Sequence, residues 1–226
     1  MDRDDDGDAA GEQSFGTCLR SLVDEGNIES SRYYLARRTA LEMLKDRGYA
    51  VPNREIDLSL EEFRNKHGQM PDVDSLTIDT RLMDDPEIKL QVRFLGPSII
   101  KVNSIRAITA ELLSLKLERA IFIVQSKITS QALKSIDVLP FKVEIFEIKD
   151  LLVNVTKHEL KPKHQILSNK EKEDLLKKYS INEKQLPRMS EKDAMSRYYG
   201  YKKGQVVKIT YNSELTQMHV AYRCVW

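Results

Sequence analysis

With 226 residues the chain is long enough to bury a core, as one large domain or two modest ones, without disulfides or metal, and this excludes disorder as a whole. Its 36 Lys and Arg against 35 Asp and Glu give a formal net charge of +1, so the total points to neither a nucleic-acid nor a membrane partner. The halves differ: residues 1–152 hold 21 basic against 27 acidic side chains and residues 153–226 hold 15 against 8, which predicts two units with different surroundings.

The two cysteines, Cys18 and Cys224, are too far apart in sequence to form a zinc-type pair and too few for a disulfide framework, so a reducing compartment is expected. The start, MDRDDDGDAAGE, is acidic where a targeting peptide would be basic, and apolar runs such as Ala120 to Val124 are far shorter than a membrane span. A soluble chain is predicted, with residues 1–29 as an acidic disordered tail and lead-in.

From Ser30, Tyr33, Ala36, Ala40, Met43 and Leu44 recur at helical spacing, with Ser30 or Ser31 as N-cap and Gly48 as stop. Arg37, Arg38, Lys45 and Arg47 lie largely off that stripe. Ser59-Leu-Glu-Glu62 is a capping box for a second helix that turns Leu60 and Phe63 inward and stops at Gly68. Leu90, Val92 and Phe94 then alternate with Gln91 and Arg93 as a strand, broken by Gly96-Pro97. Asn103 is the expected cap of a helix on Ile105, Ile108, Leu112 and Leu115, and Ala120 to Val124 is a strand covered on both faces. A short helix from Thr129 with Ala132, Leu133 and Ile136, and a strand from Val143 to Ile148, complete a parallel sheet with crossover helices.

After Val153 the segment Lys157 to His164 is basic and aperiodic, and the boundary is expected there, giving units at 30–152 and 153–226. The second unit reads as small α+β: a helix capped by Asn169, another opened by Ser190-Glu-Lys-Asp193 and closed by Gly200, and a hairpin of Gln205 to Tyr211 with Met218 to Val225.

Chemistry is sparse. His158 and His164 flank a basic loop, with His67 and His219 elsewhere, which falls short of the three or four ordered ligands zinc takes, so no metal or cofactor is expected. No G-x-S-x-G, G-x-G-x-x-G or P-loop pattern occurs, and Gly200-Tyr-Lys-Lys-Gly204 joins helix to strand, the reverse of a phosphate loop. Asp137 followed by Glu147-Ile-Lys149 matches the acid and Glu-x-Lys pattern of magnesium-dependent nucleases, against which Glu147 is equally an outward residue of an edge strand. Arg197 to Lys208 interleaves aromatics with cations, as an interface with nucleic acid or an acidic protein would.

Three segments, His158-Glu-Leu-Lys-Pro-Lys-His164, Glu183-Lys-Gln-Leu-Pro-Arg188 and Arg197-Tyr-Tyr-Gly-Tyr-Lys-Lys-Gly-Gln-Val-Val-Lys-Ile209, resemble the fifth common subunit of eukaryotic nuclear RNA polymerases, whose C-terminal domain has a free-standing archaeal counterpart. Leu44 to Tyr49, Ser59 to Phe63 and Leu151 to Leu160 fit the same family upstream. The resemblance implies a non-catalytic subunit with an α/β N-terminal jaw of restriction-endonuclease-like fold beside downstream duplex DNA, and a small α+β assembly domain docked on the largest subunit among other core subunits. The partner interface it implies is Arg197, Tyr198, Tyr199, Gly200, Lys202, Lys203, Gly204, Gln205 and Val207, with Lys127 and Lys134 near DNA and no membrane or small-molecule substrate. Thr129-Ser-Gln-Ala132, Asp193-Ala194 and Ser213 to His219 depart from the shared subunit. Together with Ser31 to Arg38 and the Ala221 to Trp226 end, they are similar to the plant branch serving RNA polymerase V in RNA-directed DNA methylation, which implies a nuclear protein.

Overall fold

The computed structural model describes residues 26–115, 117–213 and 217–226; Cys18 and most of the acidic lead-in lie outside them. The long first helix, α1 (Ile28–Asp46), starts earlier than its apolar stripe suggests because Asn27, not Ser30 or Ser31, is the cap: its side chain accepts from the Glu29 N–H at 2.9 Å. Ser30 is instead buried and donates to the Asn27 carbonyl at 2.7 Å. Gly48, at φ 85°, takes the left-handed turn that ends the helix. After a single turn, α2 (Asn53–Ile56), the Ser59–Glu62 capping box opens α3 (Leu60–His67), which buries Phe63.

Four strands form the first sheet in the order β1 (Ile78–Arg81), β2 (Lys89–Leu95), β3 (Arg119–Val124) and β4 (Lys142–Glu147). The last three are parallel, with β3 central and buried along Ala120 to Val124. The antiparallel edge strand β1 makes the sheet mixed. The crossovers are α4 (Val102–Ser114) and α5 (Ser130–Asp137). Thr129 caps α5 by accepting from Ala132, whereas Asn103 lies inside α4 and Lys101 holds the cap position without a side-chain bond. Leu115 and Leu133, expected inward, are exposed beyond the strip their helices press on the sheet.

One sheet face packs Leu90, Val92, Phe94, Ile121 and Ile123 against α1 and Phe63; the other packs Ala120, Phe122 and Val124 against Ile105, Leu112, Ala132 and Ile136. This is a three-layer α/β arrangement, with both crossover helices on one face of the sheet and α1 with α3 on the other.

The second sheet runs β5 (Lys163–Ile166), β7 (Val206–Ser213), β8 (Gln217–Val225) and β6 (Arg188–Met189), with β7 and β8 as the expected hairpin. Two helices accompany it. The first, α6 (Asn169–Tyr179), is capped by Ser168 in a box with Glu171, so Asn169 is its first residue and not its cap. The second, α7 (Ala194–Tyr199), is capped by Asp193 alone, which accepts from Met195 and Ser196, and it ends at Gly200 with φ 66°. No helix among the described residues is long and apolar enough to cross a membrane.

Candidate assembly surface

The aromatic and basic motif expected to face a partner is divided between the interior and the surface. Tyr198 is buried and joins the core of the first sheet, contributed from 153–226 to a cluster otherwise made by 26–152. Its hydroxyl donates to Asp46 at 2.8 Å and accepts from Asn154 at 3.3 Å. Burial, with the Asp46 carboxylate beside it, pushes this phenol far above its ordinary range, so it stays a neutral donor. Val207 is fully buried in the second sheet's core. Tyr198 and Val207 therefore present nothing to a partner, a correction to the expected interface that follows from their closed packing.

Arg197 and Gly200 are engaged within the chain. One Arg197 nitrogen reaches Asp150 at 3.0 Å, another the Ile145 carbonyl at 2.7 Å, and the guanidinium lies 4.4 Å from the Phe146 ring centre. The decisive residue is Arg47, which lies off the apolar stripe of the sequence and is nevertheless only 7% exposed at its side chain. Its Nε donates to the Tyr198 carbonyl at 2.8 Å and its Nη2 to the Arg197 carbonyl at 2.6 Å, with Glu144 at 2.9 Å. Those carbonyls lie in the last turn of α7, where the Arg197 carbonyl also accepts from the Gly200 N–H at 3.2 Å, so the residue that follows α1 caps another helix where the macrodipole is negative. Below it, Asn154 donates to Glu42 at 2.7 Å. Burial pushes the Glu42 carboxyl up, but bonds from Lys157 and Asn154 outweigh it and hold the group below its ordinary value.

Tyr199, Lys202, Lys203, Gly204 and Gln205 remain near the surface. Tyr199 stacks on Tyr201 with 5.4 Å between ring centres and accepts from Lys161 at 2.8 Å. Lys202 and Lys203 are exposed in a turn closed by Gln205, whose side chain accepts from the Lys202 N–H at 2.7 Å. Beside this turn's sheet runs an open groove of about 1030 Å³ between residues 159–163 and the hairpin, including Leu160, Lys163, Tyr211, Met218 and Arg223. The sequence offered no signal for it, since Leu160 and Met218 resemble any surface apolar residue.

The nuclease pattern does not assemble. Asp137 ends α5 and is not on a strand; the chain then enters the start of β4, whereas Glu147 is the last residue of that strand, about 17 Å farther along. Lys149 pairs with Glu147, which draws that carboxyl down and the lysine up. No group of three or more potential metal ligands occurs among the described residues. Lys127 and Lys134 are exposed, in the loop after β3 and on α5.

Two features of this arrangement, the α1–α7 joint and the C-terminal hairpin sheet, fall within segments matched by known sequence families. "RNA polymerase Rpb5, N-terminal domain" matches residues 27–112 and "RNA polymerase Rpb5, C-terminal domain" matches 153–225. The chain belongs to the Rpb5 family. It is 55% identical to the Arabidopsis thaliana DNA-directed RNA polymerase V subunit 5A, over 92% of this chain and 95% of that one. It is 54% identical to the Arabidopsis thaliana DNA-directed RNA polymerases IV and V subunit 5B, over 90% and 94%. Identity to the Caenorhabditis elegans DNA-directed RNA polymerases I, II, and III subunit RPABC1 is 36%, over 89% and 99%. An Rpb5-family chain is a polymerase component, and nothing in these similarities points to a nuclease.

Proposed function

We propose that this Rpb5-family chain is a non-catalytic subunit of a nuclear DNA-dependent RNA polymerase of the plant RNA polymerase V type, acting in RNA-directed DNA methylation and gene silencing. The carrying observation is the step in identity, from 36% with the subunit of polymerases I, II and III to 55% with that of polymerase V, each over most of both chains. Residues 153–226 form the assembly domain, docked on the largest subunit through the exposed part of the matched motif, Lys202 and Lys203, and the adjoining hairpin. Residues 30–152 form a jaw of restriction-endonuclease-like fold, whose Lys127 and Lys134 meet phosphates of downstream duplex DNA without sequence readout. Support for a fixed jaw comes from the Arg47 bonds to α7, which tie its position to whatever holds the second sheet.

Affinity purification of the tagged chain from plant nuclei tests this reading. The polymerase V largest subunit should co-purify, together with other core subunits. Recovery of only polymerase I, II or III largest subunits, or of none, overturns it.

A further inference from the structure

The groove beside the hairpin has an open sheet edge as one wall. In β7 the Val206 carbonyl accepts from Leu167, so Val206 and every second residue after it turn their backbone groups toward β5. The β5 pairing ends at Lys163 opposite Thr210, and its register would next bring Lys161 opposite Asn212. Instead the Lys161 N–H donates to the His158 carbonyl at 2.9 Å in a turn, and Pro162 carries the chain away from the ladder. Asn212 thus directs an N–H and a C=O into the groove, and no described residue bonds to either.

Exposed apolar and basic side chains surround that edge. Leu160 is 83% exposed, Met218 74% and Tyr211 36%, all on the same groove. Lys163 and Arg223 line it too, and neither forms an ion pair with a described residue; Glu159 is the one acid among the lining residues. Exposed apolar groups beside an unpaired strand edge are the combination that natural sheets cover with another chain.

We infer that this groove receives an extended, acidic segment of another polymerase subunit, added as a strand along β7 at Asn212. Side chains of an added strand alternate between the sheet faces, so the segment sets an apolar group beside Tyr211 on one face and another beside Met218 on the other, with carboxylates toward Arg223 on the first face and Lys163 on the second. Backbone pairing supplies the fit and the two cations select the charge. The inference rests on the proposal that residues 153–226 are an assembly domain, and it names the contact that proposal leaves open.

The test uses the full chain within purified polymerase. A photo-cross-linking benzoylphenylalanine placed at position 160 or 218 should capture an acidic segment of a polymerase subunit, identified by mass spectrometry. The double substitution Lys163→Glu with Arg223→Glu should lower recovery of that cross-link by about tenfold, while Lys163→Arg retains it. If the chain enters the polymerase but cross-links nothing, a basic segment, nucleic acid or a second copy of itself, the groove assignment fails and the subunit assignment stands. If the chain does not enter a polymerase at all, both fail.

Discussion

Arg47 donates its Nε–H to the carbonyl oxygen of Tyr198, 151 positions later, at 2.8 Å. One residue thereby serves two helix ends: its backbone N–H closes α1 on the Met43 and Leu44 carbonyls, and its guanidinium caps the last turn of α7. The bond joins the two units that the charge distribution separates.

Replacing this group is expected to cost stability in proportion to what it leaves unpaired. Arg47→Ala strands the Tyr198 carbonyl and the Glu144 carboxylate and leaves the Arg197 carbonyl with only its Gly200 bond, so a loss of about 2–4 kcal/mol is expected in urea unfolding. Arg47→Lys should recover little, because an ammonium cannot reproduce the fork that reaches both carbonyls and the carboxylate. A lysine variant as stable as wild type would show that charge alone holds the joint.

Gly200 tests the same contact from the other side. A Cβ there would lie 3.3 Å from the Arg47 Cζ at a φ of 66°. Gly200→Ala is expected to cost roughly 1–2 kcal/mol for the left-handed backbone, plus a steric part. Only the steric part should vanish in an Arg47→Ala background, so a double-mutant cycle should give a non-zero coupling. Strict additivity would mean that the two residues do not press on each other.

Much of the first sheet was legible because Leu90, Val92 and Phe94 alternate and Ala120 to Val124 is unbroken, patterns that only a half-covered and a fully covered strand explain. The stops at Gly48, Gly68 and Gly200 were equally legible, since each takes a positive φ that other residues avoid. The edge strand β1 was not, because Ile78-Asp-Thr-Arg81 buries one side chain and has no period to detect. Nor was the two-residue β6, which exists only through its parallel pairing with β8. The role of Arg47 was not legible for a different reason: a long cation off an apolar stripe has the same appearance whether it reaches solvent or carbonyls contributed by a distant helix. The hairpin surface shares that limit, as nothing local in Leu160 or Met218 tells of an open strand edge beside it.

Acid should weaken the fold through two histidines. Burial, with Arg37 and Lys66 nearby, holds His67 below its ordinary value of 6.5. Burial lowers His164 as well, outweighing its bond to the Pro162 carbonyl. In the unfolded chain both histidines take up protons near 6.5, while the folded chain resists until lower pH. Stability is therefore full above that value and falls as pH drops through it. The double variant His67→Asn, His164→Asn should show a flatter dependence of the urea midpoint between pH 7.5 and 5.5, and a slope equal to wild type would remove these groups as the cause.

DNA binding by the free protein is the last expectation, and it turns on where the acidic charge sits. The excess of acid in residues 1–152 lies wholly in residues 1–25, which hold eight Asp and Glu against two Lys and Arg, while residues 26–152 hold 19 of each. Residues 26–152 thus carry no formal net charge of their own. A chain of residues 26–226 has 34 basic against 27 acidic side chains, so it should bind duplex DNA more tightly than the full chain at low salt. The difference should shrink as salt rises, because it comes from screened charge and not from a fitted contact. Lys127→Glu with Lys134→Glu should weaken the DNA contact of the assembled polymerase, where the jaw is held at high effective concentration. Asp137→Ala and Glu147→Ala should leave transcription unchanged, since Asp137 ends α5 before the start of β4 and Glu147 is the last residue of that strand. Equal affinity of the full and shortened chains in low-salt fluorescence anisotropy would rule out the acidic segment as DNA's electrostatic opponent.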